Sequence, residues 1–250
     1  MEPTQTTASV VLIGNELLSG RVTDANGPYI VAALRELGVG VMSLHVVTDD
    51  VDHIAETVAL ETGRRDFVFT SGGVGPTHDD VTLAGLAKAF DVDLIVNDAL
   101  REHIVAHVPT GDVTVEAWLK MAQVPLGCAL LYASDALWPV YRMQNVFVLP
   151  GIPAHFRQQF DAIREQFRAG RYHARSVYCR VGEGVLAAPL MKVSGAFPAV
   201  TLGSYPEVGN ADYQVRVSLE SKDRDALEAA YRAFMSTLGR DGVFKIVDGL

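Results

Sequence analysis

The sequence predicts an α/β protein: a mainly parallel three-layer α/β/α sheet followed by a small α+β unit. Two patterns carry that prediction. Over residues 1–171, short apolar runs rich in β-branched residues alternate with stretches whose apolar positions recur at helical spacing, the pattern of right-handed βαβ units. From residue 172 to 250, a strand with one buried face lies between two helical stripes.

The elements follow in order. Residues 8–14 form an apolar run ended by Gly14, as expected of a strand buried on both faces. Asp24 is placed to cap a helix carrying Ile30, Leu34 and Leu37, closed by Gly38. Val39 to Val47 is the next strand. Asp49 or Asp50 caps a helix with Ile54, Val58 and Leu60, closed by Gly63. A third strand, Asp66 to Thr70, runs into a glycine loop and a helix over 81–90. Beyond it the pattern is less regular. A short strand is expected at 94–96, helices at 99–107 and 113–121, and strands at 129–132, 140–143 and 146–149. Gln144-Asn145 joins the last two as an antiparallel hairpin on the sheet edge. Phe156, Phe160, Ile163 and Phe167 then make one helical stripe.

In the tail, strands are expected at 175–181, 200–204, 213–220 and 243–247. Leu186, Leu190, Val193 and Phe197 mark one helix, and Leu227, Tyr231, Phe234 and Leu238 the other. The resulting order, β-α-β-β-α-β, is that of a ferredoxin-like unit.

Composition narrows the function. The chain has 250 residues, 49% of them hydrophobic, with a formal net charge of −9. Its basic residues form only short pairs such as Arg64-Arg65, which argues against nucleic acid as a partner. Cys128 and Cys179 lack metal-ligand or disulfide spacing, so a reduced, cytoplasmic setting is expected. The apolar runs have strand length, and the first residues lack the basic and apolar regions of an export signal. No membrane partner is therefore expected.

In open parallel sheets, ligands bind beyond the carboxyl ends of the strands. Three loops leave such ends: G-N-E-L-L-S-G-R-V-T-D-A-N (14–26), V-T-D-D (47–50) and S-G-G-V-G-P-T-H-D-D (71–80). They offer Asn15, Glu16, Ser19, Asp24, Asn26, Asp49, Asp50, Thr77, His78, Asp79 and Asp80 to one crevice. The third loop has no G-K-[ST], and His78 stands where a dinucleotide fingerprint needs a small residue. Its carboxylates also admit a plain reading, a capping box with Thr77 as N-cap and Asp80 returning to the Thr77 amide.

The first and third loops resemble the MoaB/Mog molybdopterin-binding-like family. The closer likeness is to the N-terminal domain of competence/damage-inducible protein A (CinA) and the corresponding domain of eukaryotic FAD synthase. K-M-A-Q-V-P (120–125), V-L-P-G-I-P (148–153) and L-G-S-Y-P (202–206) are similar to later motifs of that family. Nothing in the 250 residues resembles the deamidase domain of CinA-type proteins or the adenylyltransferase domain of FAD synthase. V-T-V-E-A-W-L (113–119) also lacks the asparagine–arginine pair expected before Lys120, which argues against tight phosphate binding from that side.

The resemblance implies a ligand pocket at the carboxyl edge. Gly14, Asn15, Glu16, Ser19, Asp24 and Asn26 would come from the first loop. Ser71, Gly72, Gly73, Gly75, Pro76 and Thr77 would come from the third, with Lys120, Gly151 and Pro153 from later motifs. Asp80 and Asp49 match acidic positions tied to activity. The implied activity is metal-dependent hydrolysis of a pyrophosphate such as ADP-ribose or FAD, and the alternative is molybdopterin binding or adenylylation. A non-catalytic pterin- or nucleotide-binding module is the third possibility. The resemblance also implies a homo-oligomer, a dimer or trimer. Physical chemistry joins these points: a pyrophosphate can sit near Asp79 and Asp80 if a divalent cation, magnesium or manganese, lies between.

Overall fold

The computed structural model describes residues 5–108, 115–132, 137–239 and 241–249. It divides into two compact units, with the boundary between Ala169 and Gly170.

The first unit opens with β1 (Thr7–Ile13), α1 (Asn15–Leu18), α2 (Asn26–Glu36), β2 (Gly40–Val47), α3 (Val51–Thr62), β3 (Phe67–Ser71) and α4 (Thr82–Ala89). It continues through β4 (Leu94–Val96), α5 (Asp98–His107), α6 (Val115–Leu119), β5 (Gln123–Pro125), β6 (Ala129–Leu131), β7 (Val140–Met143), β8 (Val146–Leu149) and α7 (Pro153–Ile163). The sheet order is β2-β1-β3-β8-β7-β6. β2, β1, β3 and β8 pair in parallel, and β7 and β6 extend the sheet antiparallel. Alternation along β1 divides its side chains between two cores. Val11 and Ile13 pack with Ile54, Val58 and Leu86, while Ala8, Val10 and Leu12 pack with Ile30, Leu34 and the phenylalanines. Those phenylalanines meet edge to face, with Phe69 and Phe147 at 4.9 and 4.8 Å from Phe167.

Buried polar groups fix the register of the layers. Glu61, 2% exposed at the end of α3, accepts from Ser9 of β1, Ser43 of β2 (3.1 Å) and Arg65 (3.0 Å). His45 of β2 faces its other oxygen at 3.0 Å. Burial alone would raise its pKa, but the hydrogen bonds from Ser9, His45, Arg65 and Ser43 hold it down to about 2.

At the carboxyl edge the chain crowds itself. Gly72 adopts φ +106°, its amide donates to the Leu149 carbonyl at 3.1 Å, and a Cβ there would stand 2.2 Å from the Ile13 carbonyl oxygen. Only glycine fits.

The structure corrects several local expectations. Asp24 acts one residue further out than an N-cap: Ala25 holds that position, and Asp24 Oδ1 accepts from the Asn26 and Gly27 amides at 2.9 and 3.0 Å. Of the two candidates for α3, Asp50 is the cap. Thr77 does not open a helix. Asp80 does return to the Thr77 amide, at 2.8 Å, but the Asp80 amide goes to the Thr77 carbonyl at 3.3 Å, closing a turn. The helix starts five residues later at Thr82, whose buried hydroxyl donates to the Gly72 carbonyl at 2.8 Å. The helix expected over 113–121 is α-helical over Val115–Leu119 and tightens into a 3-10 turn at Lys120–Ala122, and residues 113 and 114 lie outside the described residues. β4 pairs with β5, a strand the periodicity missed, apart from the main sheet. α7 ends at Ile163, so Phe167 reaches the core from a 3-10 turn.

The second unit contains β9 (His173–Cys179), α8 (Glu183–Ala196), β10 (Thr201–Pro206), β11 (Val215–Ser221), α9 (Arg224–Leu238) and β12 (Val243–Asp248). Its antiparallel sheet runs β10-β11-β9-β12, the ferredoxin-like arrangement. Val177, Cys179, Val217, Leu219, Leu186 and Phe234 belong to a core of its own.

Two stability outcomes are expected. Gly72→Ala combines a left-handed backbone with a clash against main chain, so urea unfolding should show a loss of at least about 2 kcal/mol. Glu61 has a folded pKa of about 2 against a reference of 4.5. A depressed pKa contributes stability fully present above the unfolded value and lost as pH falls through the folded one. The stability gap between the parent and Glu61→Gln should therefore be widest above pH ~4.5 and shrink by about 3 kcal/mol towards pH ~2.

Candidate functional site

Four parallel strands end on one edge at Ile13, Val47, Ser71 and Leu149, and a cavity of about 560 Å³ opens there. That volume suits a small-molecule ligand. Its rim is polar, formed by Glu16, Asp49, Thr77, Asp79, Asp80 and the Gly72–Gly75 loop.

The loop is shaped first by the protein's own groups. A Cβ on Gly75 would lie 2.7 Å from Asp80 Oδ2, so the missing side chain lets the carboxylate fold over the loop. Asp80 Oδ2 accepts from the Thr77 amide (2.8 Å) and hydroxyl (2.6 Å), while Oδ1 has no hydrogen bond among the described residues. The Thr77 hydroxyl also faces Asp79 Oδ1, and that contact, with its charged neighbours, holds the Asp79 carboxyl below its ordinary range. The amides of Gly73, Val74 and Gly75 donate to no protein group among the described residues. All three residues line the cavity, and successive amides without an acceptor are the donors from which an anion-binding concavity is built. Lys120 reaches over and donates to the Thr77 carbonyl, pinning the turn from outside the cavity.

Other residues expected at the site serve as framework. Asn15 donates its amide to Asp49 Oδ2 at 2.8 Å, which holds the carboxylate at the cavity edge. Ser19 closes α1 through the Glu16 carbonyl at 3.3 Å, and Gly14 donates to the Val47 carbonyl at 3.1 Å. Buried Asn26 donates to Ser71 Oγ at 2.9 Å and to the Gly151 carbonyl at 2.7 Å, tying three loops together. Pro153 is the first residue of α7. Gly14, Asn15, Ser19, Asp24, Asn26, Ser71, Lys120 and Pro153 are absent from the cavity wall, whereas Pro76 and Gly151 lie on it. His78 is 97% exposed, with Nδ1 3.9 Å from Asp79 Oδ1, and points to solvent.

The carboxylates fit a hard divalent ion of the magnesium type. Among the described residues no three His, Cys, Asp or Glu side chains form a cage. Magnesium commonly takes only one or two carboxylates, with water and substrate phosphate completing its shell. Adjacent Asp79 and Asp80, beside free amides, meet that requirement.

An aromatic part of the cavity wall went unnoticed in the sequence. Trp118, Trp138, Tyr141, His155 and Gln159 line it, together with Met121 and Ile152. Trp118 and Trp138 stack at 5.8 Å with planes 10° apart. A composition signal existed, since these are the chain's two tryptophans, but they lie 20 residues apart with no shared period.

Residues 9–169 match the family described as the probable molybdopterin binding domain, and residues 171–246 match the FAD synthase middle domain. A protein of Archaeoglobus fulgidus is 33% identical over 92% of this chain and 96% of its own length. The probable FAD synthase of Caenorhabditis elegans is 30% identical over 94% of this chain, which spans 50% of that relative's length. The crystal structure of the protein CinA from Thermoplasma acidophilum is 31% identical, with a TM-score of 0.60 over 66% of this chain and 99% of that one. Among the described residues no helix is long and apolar enough to cross a membrane. With its glycine loop, P-G-I-P turn and carboxyl-edge cavity in place, this chain belongs to the MoaB/Mog molybdopterin-binding domain family and has CinA-like and FAD synthase relatives.

Proposed function

We propose that this chain is a metal-dependent nucleotide pyrophosphatase of the CinA N-terminal kind, hydrolysing a dinucleotide-like substrate such as ADP-ribose or FAD. One observation carries the reading: three amides without protein partners among the described residues, those of Gly73, Val74 and Gly75, share a cavity wall with Asp79 and Asp80. Donors alone would suit any anion. Donors beside paired carboxylates suit an anion that arrives with a cation.

When bound at Asp79 and Asp80, a divalent ion would polarise a phosphoryl oxygen and lower the pKa of water. The glycine-loop amides hold the second phosphate. Asp49, fixed by the Asn15 amide, takes the proton of the attacking water. The water oxygen bonds to one phosphorus, the bridging P–O bond breaks, and two phosphomonoesters leave. The match of residues 171–246 to the FAD synthase middle domain supports this branch. The reading carries with it a cytoplasmic homodimer or homotrimer.

The competing reading is a pterin binder or molybdopterin adenylyltransferase, which the aromatic residues of the cavity wall favour. Heating the protein with either ligand separates them. A ligand at about 100 times its dissociation constant should add about 2.7 kcal/mol of stability. Stabilisation by molybdopterin without metal, and none by a dinucleotide with it, would select the pterin reading.

Two variants test the site. Asp80→Asn should melt within about 3 °C of the parent, because the amide oxygen can still accept from Thr77. Its metal-dependent release of mononucleotides should fall by a factor of about 10²–10⁴. A lower melting point with full activity would make Asp80 a turn residue only. Gly75→Ala places a Cβ 2.7 Å from Asp80 Oδ2 without a left-handed backbone to strain. It should therefore fold normally and lose about tenfold or more in rate by moving that carboxylate.

A further inference from the structure

Two consecutive peptides of the glycine loop are held by one residue that lies off the cavity wall. Thr82, the first residue of α4, is fully buried. Its hydroxyl donates to the Gly72 carbonyl at 2.8 Å, and its amide donates to the Gly73 carbonyl at 3.0 Å. A buried carbonyl needs a donor, and the first amides of a helix need acceptors, so each bond stabilises the fold by itself. Made to adjacent peptides, the two bonds do more than that.

In a trans peptide the carbonyl and the amide of the next residue point in opposite directions, and the described residues contain no cis bond. Drawing the Gly72 carbonyl onto Thr82 therefore turns the Gly73 amide away from α4. Drawing in the Gly73 carbonyl does the same to the Val74 amide. These are two of the three loop amides without a protein acceptor among the described residues. Gly73 and Val74 line the cavity and no described residue of α4 does, so an amide turned from α4 is turned towards the cavity side. The loop has little slack in which to undo this. Gly73 has φ +63°, and a Cβ there would collide with the Thr82 hydroxyl, so only glycine lets the hydroxyl close on the loop backbone.

We propose that Thr82 is a positioning residue for anion binding: through the Gly72 and Gly73 carbonyls it aims the Gly73 and Val74 amides at a phosphate group of the substrate. The inference rests on the pyrophosphatase reading for the identity of that anion. Donors fixed before the ligand arrives bind it with little ordering cost. The phosphate they hold is the one not attacked, so they grip ground state and transition state alike. Loosening them raises KM and spares kcat.

Binding of inorganic pyrophosphate in the presence of magnesium would be measured by calorimetry on the whole protein and its variants. Thr82→Val keeps the shape and the amide bond but removes the hydroxyl, and should bind about tenfold or more weakly. Thr82→Ser restores the hydroxyl and should lie within about threefold of the parent. Leu86→Val thins the buried face of the same helix, destabilising it without touching the loop, and should leave affinity within about twofold. In isotope-labelled protein, pyrophosphate should shift the Gly73 and Val74 amide resonances of the parent, and those shifts should shrink in Thr82→Val. Should Thr82→Val not fold, Thr82→Cys, whose thiol is a weak donor, takes its place with the same expected direction. In hydrolysis of ADP-ribose or FAD, Thr82→Val should raise KM about tenfold and change kcat by less than about threefold, whereas a folding defect would lower kcat and spare KM. Parental affinity in the folded variant, an equal loss in Leu86→Val, or parent spectra in which neither amide responds would each overturn the proposal. Pyrophosphate binding that depends on Thr82, without release of mononucleotides from either dinucleotide, would sink the pyrophosphatase reading and leave this inference standing. Metal-dependent hydrolysis unchanged by Thr82→Val would do the reverse.

Discussion

The cavity depends on how closely the chain leaving β3 passes the end of β1. A Cβ at Gly72 would lie 2.2 Å from the Ile13 carbonyl, and one at Gly151 would lie 3.3 Å from the Gly72 Cα. The exits of β3 and β8 are therefore in van der Waals contact with each other, and the β3 exit with the end of β1. Asn26 closes the arrangement from the third side, bonding both Ser71 and the Gly151 carbonyl. A loop held at this spacing has little freedom to relax. Among the described residues its Gly73, Val74 and Gly75 amides have no protein acceptor. Strand order makes such a meeting possible: the chain passes from β1 to β2 on one side and returns to β3 on the other, opening a crevice at their carboxyl ends.

Electrostatics at the rim is a balance that the backbone alone cannot settle. Asp79 and Asp80 stand side by side and both lean on Thr77. Lys120, the cation nearest this turn, binds the Thr77 carbonyl. The free amides of Gly73 to Gly75 contribute only partial charges. A phosphate would meet repulsion from the carboxylates that these donors do not cancel, whereas a divalent cation between them reverses the local sign. The same carboxylates explain why the glycines are needed. Gly75 makes room for Asp80 before it makes room for any ligand.

Much of the fold was legible because burial imposes periods on sequence. The parallel strands 8–14, 39–47 and 66–70 are mostly apolar and rich in β-branched residues, and the stripe Phe156, Phe160, Ile163 marks α7. Short elements were less legible. β5 is Gln123–Pro125, three residues with no period to read, and it is defined by its pairing with β4. The Thr77-His78-Asp79-Asp80 box obeys the sequence rule for a helix start, yet tertiary contacts delay the helix to Thr82, where a buried hydroxyl can reach the Gly72 carbonyl. At the site, the glycine loop and its carboxylates could be found because they are contiguous. Asn15, Ser19, Asp24 and Asn26 were grouped with them by loop membership; none of the four lies on the cavity wall, and Asp24 and Asn26 bond within the protein. Trp118, Trp138 and Gln159 come from three separate elements, so only packing brings them together.

The division between those two groups has a physical reason. The rim must hold charge, and charge in a cavity needs fixed partners, which short-range loop geometry can specify within ten residues of chain. The aromatic part of the wall contributes area, which any nearby helix face can supply. Side chains on α6, α7 and the segment before β7 can change there without disturbing the contact between Gly72 and Ile13. The rim's geometry is thereby independent of the residues chosen for the aromatic part of the wall.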